Sequence, residues 1–126
     1  TSDGIGVMGF CMGGLLTFVL AALRPDRIVA AVPFYGFPTG DDQPDYREID
    51  AAIQGHMAEI DDFFPPEAAK ALEAELKALG KDVTITVHEG AGHAFMAPHN
   101  ALGTQNQELY DRIWPQATAF LHEPIT

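Results

Sequence analysis

Six consecutive residues, Gly9-Phe10-Cys11-Met12-Gly13-Gly14, constrain this chain more than any other part of it. They follow a short apolar run at residues 5–10 and precede an apolar stretch at 15–23 that reads as a buried helix closed by Pro25. A small-x-nucleophile-x-small pattern between a strand and a helix is that of a nucleophile elbow, a sharp turn that lifts one reactive side chain into the open. The spacing is steric, because side chains two residues either side of the nucleophile would collide in so tight a turn. Gly9 and Gly13 meet that need, and Gly14 lets the helix pack close. The turn sets Cys11 at a helix N-terminus, where free backbone N–H groups and the helix dipole favour negative charge. The Met12 N–H is the natural first oxyanion donor. The plainer alternative is a buried structural cysteine. A strand before, a helix after and three placed glycines favour the catalytic reading.

The remaining patterns set that turn in an α/β domain. Residues 28–35 read as a buried strand and 36–50, with Pro38, Gly40 and Pro44, as a loop. A third strand is expected over 51–57. Pro65 and Pro66 open a helix running to Leu79, with Ala68, Leu72, Leu76 and Leu79 on one face and Gly80 as its C-terminal cap. A fourth strand is expected over 83–88, and a last helix over about 104–121, with Leu109, Ile113, Ala117, Phe120 and Leu121 toward the core and Pro115 near its middle. Strands alternating with helices predict one domain over residues 1–126, built on about four mostly parallel strands flanked by helices. Chemistry in such sheets sits at the carboxyl ends of the strands. Cys11, Asp61 and His93 each fall just beyond a different expected strand.

His93, in Gly90-Ala91-Gly92-His93-Ala94-Phe95, stands where a general base for Cys11 would stand. His56 and His88 lie on or at the end of strands and read as packed, while His99 and His122 read as solvent-facing. The segment Glu59-Ile60-Asp61-Asp62 offers three acids, of which Asp61 is the preferred partner for the far imidazole nitrogen and Asp62 the next. Nucleophile, acid, histidine is the chain order of the α/β-hydrolase arrangement. Neither a His-x-x-x-His nor a paired-cysteine spacing points to a metal, and no Lys-Ser/Thr pair follows the glycines to make a phosphate loop.

Charge narrows the partners. Seven Lys and Arg against 18 Asp and Glu leave a net charge of -11, which repels nucleic acid and anionic lipid. No apolar stretch approaches the roughly 20 residues of a membrane span. A single unpaired cysteine suits a reducing compartment, so a cytoplasmic location is expected. Thr1-Ser2-Asp3-Gly4 has neither an initiating Met nor the basic region of a signal peptide, and the expectation is a start inside a longer reading frame.

Together, Gly-Phe-Cys-Met-Gly-Gly at 9–14, Glu-Ile-Asp-Asp-Phe-Phe-Pro-Pro at 59–66 and Gly-Ala-Gly-His-Ala-Phe at 90–95 resemble the dienelactone hydrolases. The resemblance implies an α/β-hydrolase fold and a Cys-His-Asp triad on Cys11, His93 and Asp61. It also implies hydrolysis of small-molecule esters or enol lactones through an acyl-cysteine intermediate, without metal or organic cofactor. Phe10, Met12, Tyr35, Phe63, Phe95 and Met96 are the expected apolar pocket. The family's fold has about eight strands, so this chain matches its C-terminal half. The missing N-terminal half carries the second oxyanion N–H, a glutamate that helps activate the thiol, and groups that bind a substrate carboxylate. Where dienelactone hydrolases proper have an arginine, this chain reads Ala94-Phe95-Met96-Ala97, which fits a general esterase of the wider family better. Without its usual neighbour the strand at 5–10 exposes an apolar edge, and a homodimer through that edge is expected. The rival reading is a catalytically weak or inactive fragment of the fold that acts as a binding module.

Overall fold

The computed structural model describes residues 4–96 and 106–122. The apolar runs with β-branched and aromatic residues are strands: β1 (Ile5–Phe10), β2 (Ile28–Phe34), β3 (Ala52–Ile60) and β4 (Val83–Gly92). The helices are α1 (Met12–Leu23), α2 (Pro66–Ala78) and α3 (Gln107–His122). All adjacent strands pair in parallel, in the order β1-β2-β3-β4. Right-handed crossovers between strands laid down in sequential order put successive helices on the same face. Accordingly α1 and α2 share one face, where Phe18, Ala21, Ile53, Met57, Leu72, Leu76 and Ile85 form one core. After β4 the chain crosses to the other face, where Leu109, Ile113 and Ala117 of α3 pack with Val32, Phe34, Ala58 and Phe95 in a second core.

The elements depart from the sequence reading in instructive ways. β3 and β4 run three and four residues further than expected, because pairing resumes at Ile60 with Gly92 after an irregularity between Ala58 and Ile60. Gly90, at φ 75°, supplies the left-handed residue at this break, and its N–H donates to Glu59 Oε1 at 2.9 Å. The segment expected as loop contains two short 3-10 turns, Gly40–Asp42 and Tyr46–Glu48, and buries Phe37, Tyr46 and Ile49. α1 is not a buried helix: Gly14, Thr17, Phe18, Ala21 and Ala22 face the sheet, while Met12, Leu16, Leu20 and Leu23 are exposed.

α2 has Pro66 in its first turn, where a missing N–H costs nothing, and Gly80 at φ 79° beyond its end. Lys81 N–H to the Leu76 carbonyl and Gly80 N–H to the Lys77 carbonyl, both 3.0 Å, complete a Schellman cap. Its buried stripe is Ala69, Leu72 and Leu76, and the expected Ala68 and Leu79 are exposed. In α3 the expected Leu109, Ile113 and Ala117 are buried, whereas Phe120 and Leu121 are half-buried. The Asn106 side chain caps the helix by accepting the Leu109 N–H at 3.1 Å. Asn106 N–H in turn donates to the Phe95 carbonyl, so α3 is tied directly to the turn that carries His93. Among the described residues no helix is long and apolar enough to cross a membrane.

Candidate active site

β1 ends where the Cys11 N–H donates to the Phe34 carbonyl at 3.0 Å, and α1 begins one residue later. Cys11 itself lies at φ 60°, ψ -121°, a conformation that a residue with a Cβ adopts only when its surroundings enforce it. Three glycines do the enforcing. A Cβ on Gly9 would fall on the Gly13 carbonyl, and one on Gly14 would lie 2.8 Å from the Phe34 carbonyl oxygen. A Cβ on Gly36 would fall on the Cys11 carbonyl. Gly13, expected to be sterically required, faces open space. The third constraint comes instead from Gly36, on the neighbouring strand's exit, which the local pattern around Cys11 could not reveal.

The three side chains expected to act together do meet. His93 Nε2 lies 3.0 Å from Cys11 Sγ, and His93 Nδ1 lies 2.8 Å from Asp61 Oδ2. Asp61 follows β3 and His93 follows β4, so the extra residues in those strands deliver both groups to the edge at which β1 ends. Asp61 is buried and its second oxygen, Oδ1, accepts the Phe63 and Phe64 N–H groups at 2.9 and 3.0 Å. The tautomer that donates from Nδ1 to Asp61 Oδ2 leaves the Nε2 lone pair facing Cys11 Sγ. Asp62, the second candidate, is exposed.

Aromatic rings fix the imidazole. Phe64 stacks on His93 at 5.9 Å, Phe63 lies at 5.0 Å and Tyr35 meets it edge-on at 5.2 Å. Tyr35 is held at φ 35° and also meets Phe95 edge-on at 5.1 Å. Burial raises the Tyr35 hydroxyl well above the usual tyrosine range, against the opposing effect of a hydrogen bond to the Met96 backbone. The expected pocket residues therefore divide. Phe10, Met12 and Phe63 offer exposed apolar surface near Cys11 and His93, whereas Tyr35, Phe95 and Met96 are buried, with Tyr35 edge-on to His93 and Phe95 edge-on to Tyr35. Phe10 in turn stacks on Phe34 at 4.7 Å.

The other histidines stand apart. His56 and His88 are buried on the α3 side of the sheet, joined by a 3.0 Å hydrogen bond, with Gln54 Oε1 at 2.8 Å from His56 Nε2. Burial, reinforced by His88, pushes His56 down to about 3; burial and the nearby Arg112 push His88 down to about 4. His122 is exposed, and His99 lies outside the described residues. Among the described residues no group of three or more His, Cys, Asp or Glu side chains is placed to hold a metal ion. A cleft of about 280 Å³ between the Phe37–Gln43 region and α2 is lined by none of Cys11, Asp61 and His93.

A parallel sheet that ends one strand in a strained cysteine at a helix N-terminus, with acid and histidine delivered by the two later strands, is the α/β-hydrolase architecture. Residues 1–124 match the sequence profile of the dienelactone hydrolase family, and the chain belongs to that family. It is 33% identical over 127 residues to Protein usf of Aquifex pyrophilus, covering 97% of this chain and 52% of that one. It is 30% identical over 125 residues to protein K02A2.1 of Caenorhabditis elegans, covering 94% of this chain and 79% of that one. The crystal structure titled as a dienelactone hydrolase-like promiscuous phosphotriesterase, P91, from metagenomic libraries superposes with a TM-score of 0.79 at 22% identity. That match covers 96% of this chain and 52% of P91, and shows a shared fold. The chain thus spans about half the length of usf and of P91.

Proposed function

We propose that this chain is a cytoplasmic, cysteine-dependent hydrolase of carboxylic esters or enol lactones that works through an acyl-cysteine intermediate. One observation carries the reading: an unbroken relay runs from Cys11 Sγ to His93 Nε2 at 3.0 Å and from His93 Nδ1 to Asp61 Oδ2 at 2.8 Å. Membership of a hydrolase family supports the reaction class.

His93 takes the proton from the Cys11 thiol, and the sulfur attacks the carbonyl carbon to form a C–S bond. The carbonyl oxygen becomes an oxyanion facing the Met12 N–H, one of the groups at the start of α1 that has no intrahelical acceptor. Collapse breaks the ester C–O bond, and the departing alkoxide takes the proton from His93 Nε2. Water then gives its proton to the same nitrogen and attacks the thioester, releasing the acid and returning the proton to sulfur. Asp61 holds the imidazole in the required tautomer throughout and stabilises the imidazolium as it forms. Phe10, Met12 and Phe63 present apolar surface to the acyl group or the alcohol.

The test is hydrolysis of p-nitrophenyl acetate by the purified chain beside Cys11→Ala and His93→Ala, with mass spectrometry for an acetyl group on Cys11. Turnover in the parent chain, its loss in both variants, and an adduct confined to Cys11 are expected. A folded parent chain without turnover would overturn the enzyme reading and leave the binding-module alternative.

A further inference from the structure

Each strand contributes one ring to a stacked row on the α3 face of the sheet. Phe10 stacks on Phe34 at 4.7 Å, Phe34 on His56 at 5.2 Å and His56 on His88 at 5.2 Å, with successive planes no more than 19° apart. The second half of that row is polar. His56 Nδ1 lies 3.0 Å from His88 Nε2, and His56 Nε2 lies 2.8 Å from Oε1 of the half-buried Gln54. Burial first, then His88 for His56 and Arg112 of α3 for His88, keeps both rings uncharged at neutral pH. An amide oxygen only accepts, so a neutral His56 donates from Nε2 and its Nδ1 accepts from His88 Nε2. The two imidazoles thus form one hydrogen-bonded unit.

Two lines of contact lead from this unit to the reacting groups. The His56 ring stacks on Phe34, whose carbonyl accepts the Cys11 N–H at 3.0 Å, and the His56 carbonyl accepts the Tyr35 N–H at 2.7 Å. That second bond helps hold Tyr35 at its φ of 35°. On the other side His88 meets Phe95 at 5.5 Å, Phe95 meets Tyr35 at 5.1 Å and Tyr35 meets His93 at 5.2 Å, each edge-on. All the linking side chains are buried, and a close-packed interior passes a displacement on rather than absorbing it. Apolar side chains in these two places would fill the space but leave each free to tilt. A hydrogen bond fixes the direction of both rings as well as their separation.

We propose that His56 and His88 are a positioning pair for the Cys11–His93 relay, an inference that rests on that relay being the reacting unit. Locked to each other and to Gln54, they fix Phe34 and Phe95, and through these and Tyr35 they hold Cys11 Sγ and His93 Nε2 at 3.0 Å. Neither histidine exchanges a proton in the reaction. Their effect is large because a reacting group misplaced by about 1 Å can lose about 100-fold in rate.

Cys11 is the one cysteine of the chain, so its alkylation by iodoacetamide at pH 7 reads the contact between thiol and imidazole without reference to ester turnover. The parent is expected to react about 10-fold faster than His93→Ala. His88→Phe keeps a ring in the row but removes the donor to His56. With its fold confirmed by circular dichroism, it is expected to slow alkylation toward the His93→Ala rate and to lower kcat on p-nitrophenyl acetate about 10- to 100-fold, with KM unchanged. His88→Gln can place an amide N–H where Nε2 stood, and is expected to recover most of both rates. Gln54→Met releases the far side of His56 with both imidazoles in place, and is expected to slow alkylation in the same sense. It keeps the test open should His88→Phe fail to fold. A folded His88→Phe chain that alkylates at the parent rate overturns the positioning role. So does Gln54→Met at the parent rate where His88→Phe does not fold, and so does His88→Gln no faster than His88→Phe. A parent no faster than His93→Ala overturns the relay itself and this proposal with it, a failure that the comparison of those two chains alone identifies.

Discussion

Gly36 touches no reacting atom, yet it decides where Cys11 sits, because a side chain there would occupy the Cys11 carbonyl. Gly36→Ala is expected to lower the unfolding free energy by about 2–3 kcal/mol in urea denaturation, as overpacking against backbone does. Gly13→Ala, in the first turn of α1 with open space around it, is expected to be neutral or to gain up to about 1 kcal/mol in the same assay. The pair separates a glycine that the backbone needs from one that only shares the pattern. At Asp61, substitution by Asn keeps an oxygen for the Phe63 and Phe64 N–H groups but offers His93 Nδ1 an amide. Asp61→Asn is therefore expected to keep the melting temperature and to lose about 10⁴ in kcat on p-nitrophenyl acetate, the scale set by loss of the correct imidazole tautomer. At this scale Cys11, His93 and Asp61 were legible in the sequence, because chain order and glycine spacing are local signals. Gly36 and the strained Tyr35 were not, since their roles arise where β2 leaves the sheet beside α1 and His93.

Among the elements, β3 and β4 carry the chief liability as well as half of the site. They hold His56 and His88 neutral inside the core, with ordinary histidine behaviour restored only on unfolding. The folded state thus binds fewer protons than the unfolded one as pH falls below about 6.5, and stability declines from there until the folded-state values near 3 and 4 are passed. Urea unfolding is expected to show a loss of about 2–4 kcal/mol between pH 7 and pH 5. His88→Leu should flatten that slope even if its stability at pH 7 is lower. The lengths of these two strands were misread for a physical reason. Gly90-Ala91-Gly92 has loop chemistry by itself, and only pairing with Ile60 across a bulge holds it extended. The amphipathic helices were easier, since α2 and α3 carry their buried stripes at helical spacing, although the face of α2 rotates by one residue at Ala69.

The whole chain carries a net charge of -11, none of it within residues 4–23. Raising ionic strength from about 10 mM to about 150 mM shortens the screening length from roughly 30 Å to about 8 Å and relieves that self-repulsion. Differential scanning calorimetry should then show a melting temperature higher by a few degrees. Specific buried contacts would predict no such change. By itself the sequence determined the α/β class, the order of elements, the elbow and which three side chains, Cys11, Asp61 and His93, would meet, because periodicity, turn chemistry and chain order act over short spans. Only the tertiary structure decided that β3 and β4 extend far enough to deliver Asp61 and His93 to Cys11, that Gly36 rather than Gly13 props Cys11, and which side of α1 faces the sheet. Each of these depends on what lies across the sheet from a residue rather than beside it in the chain.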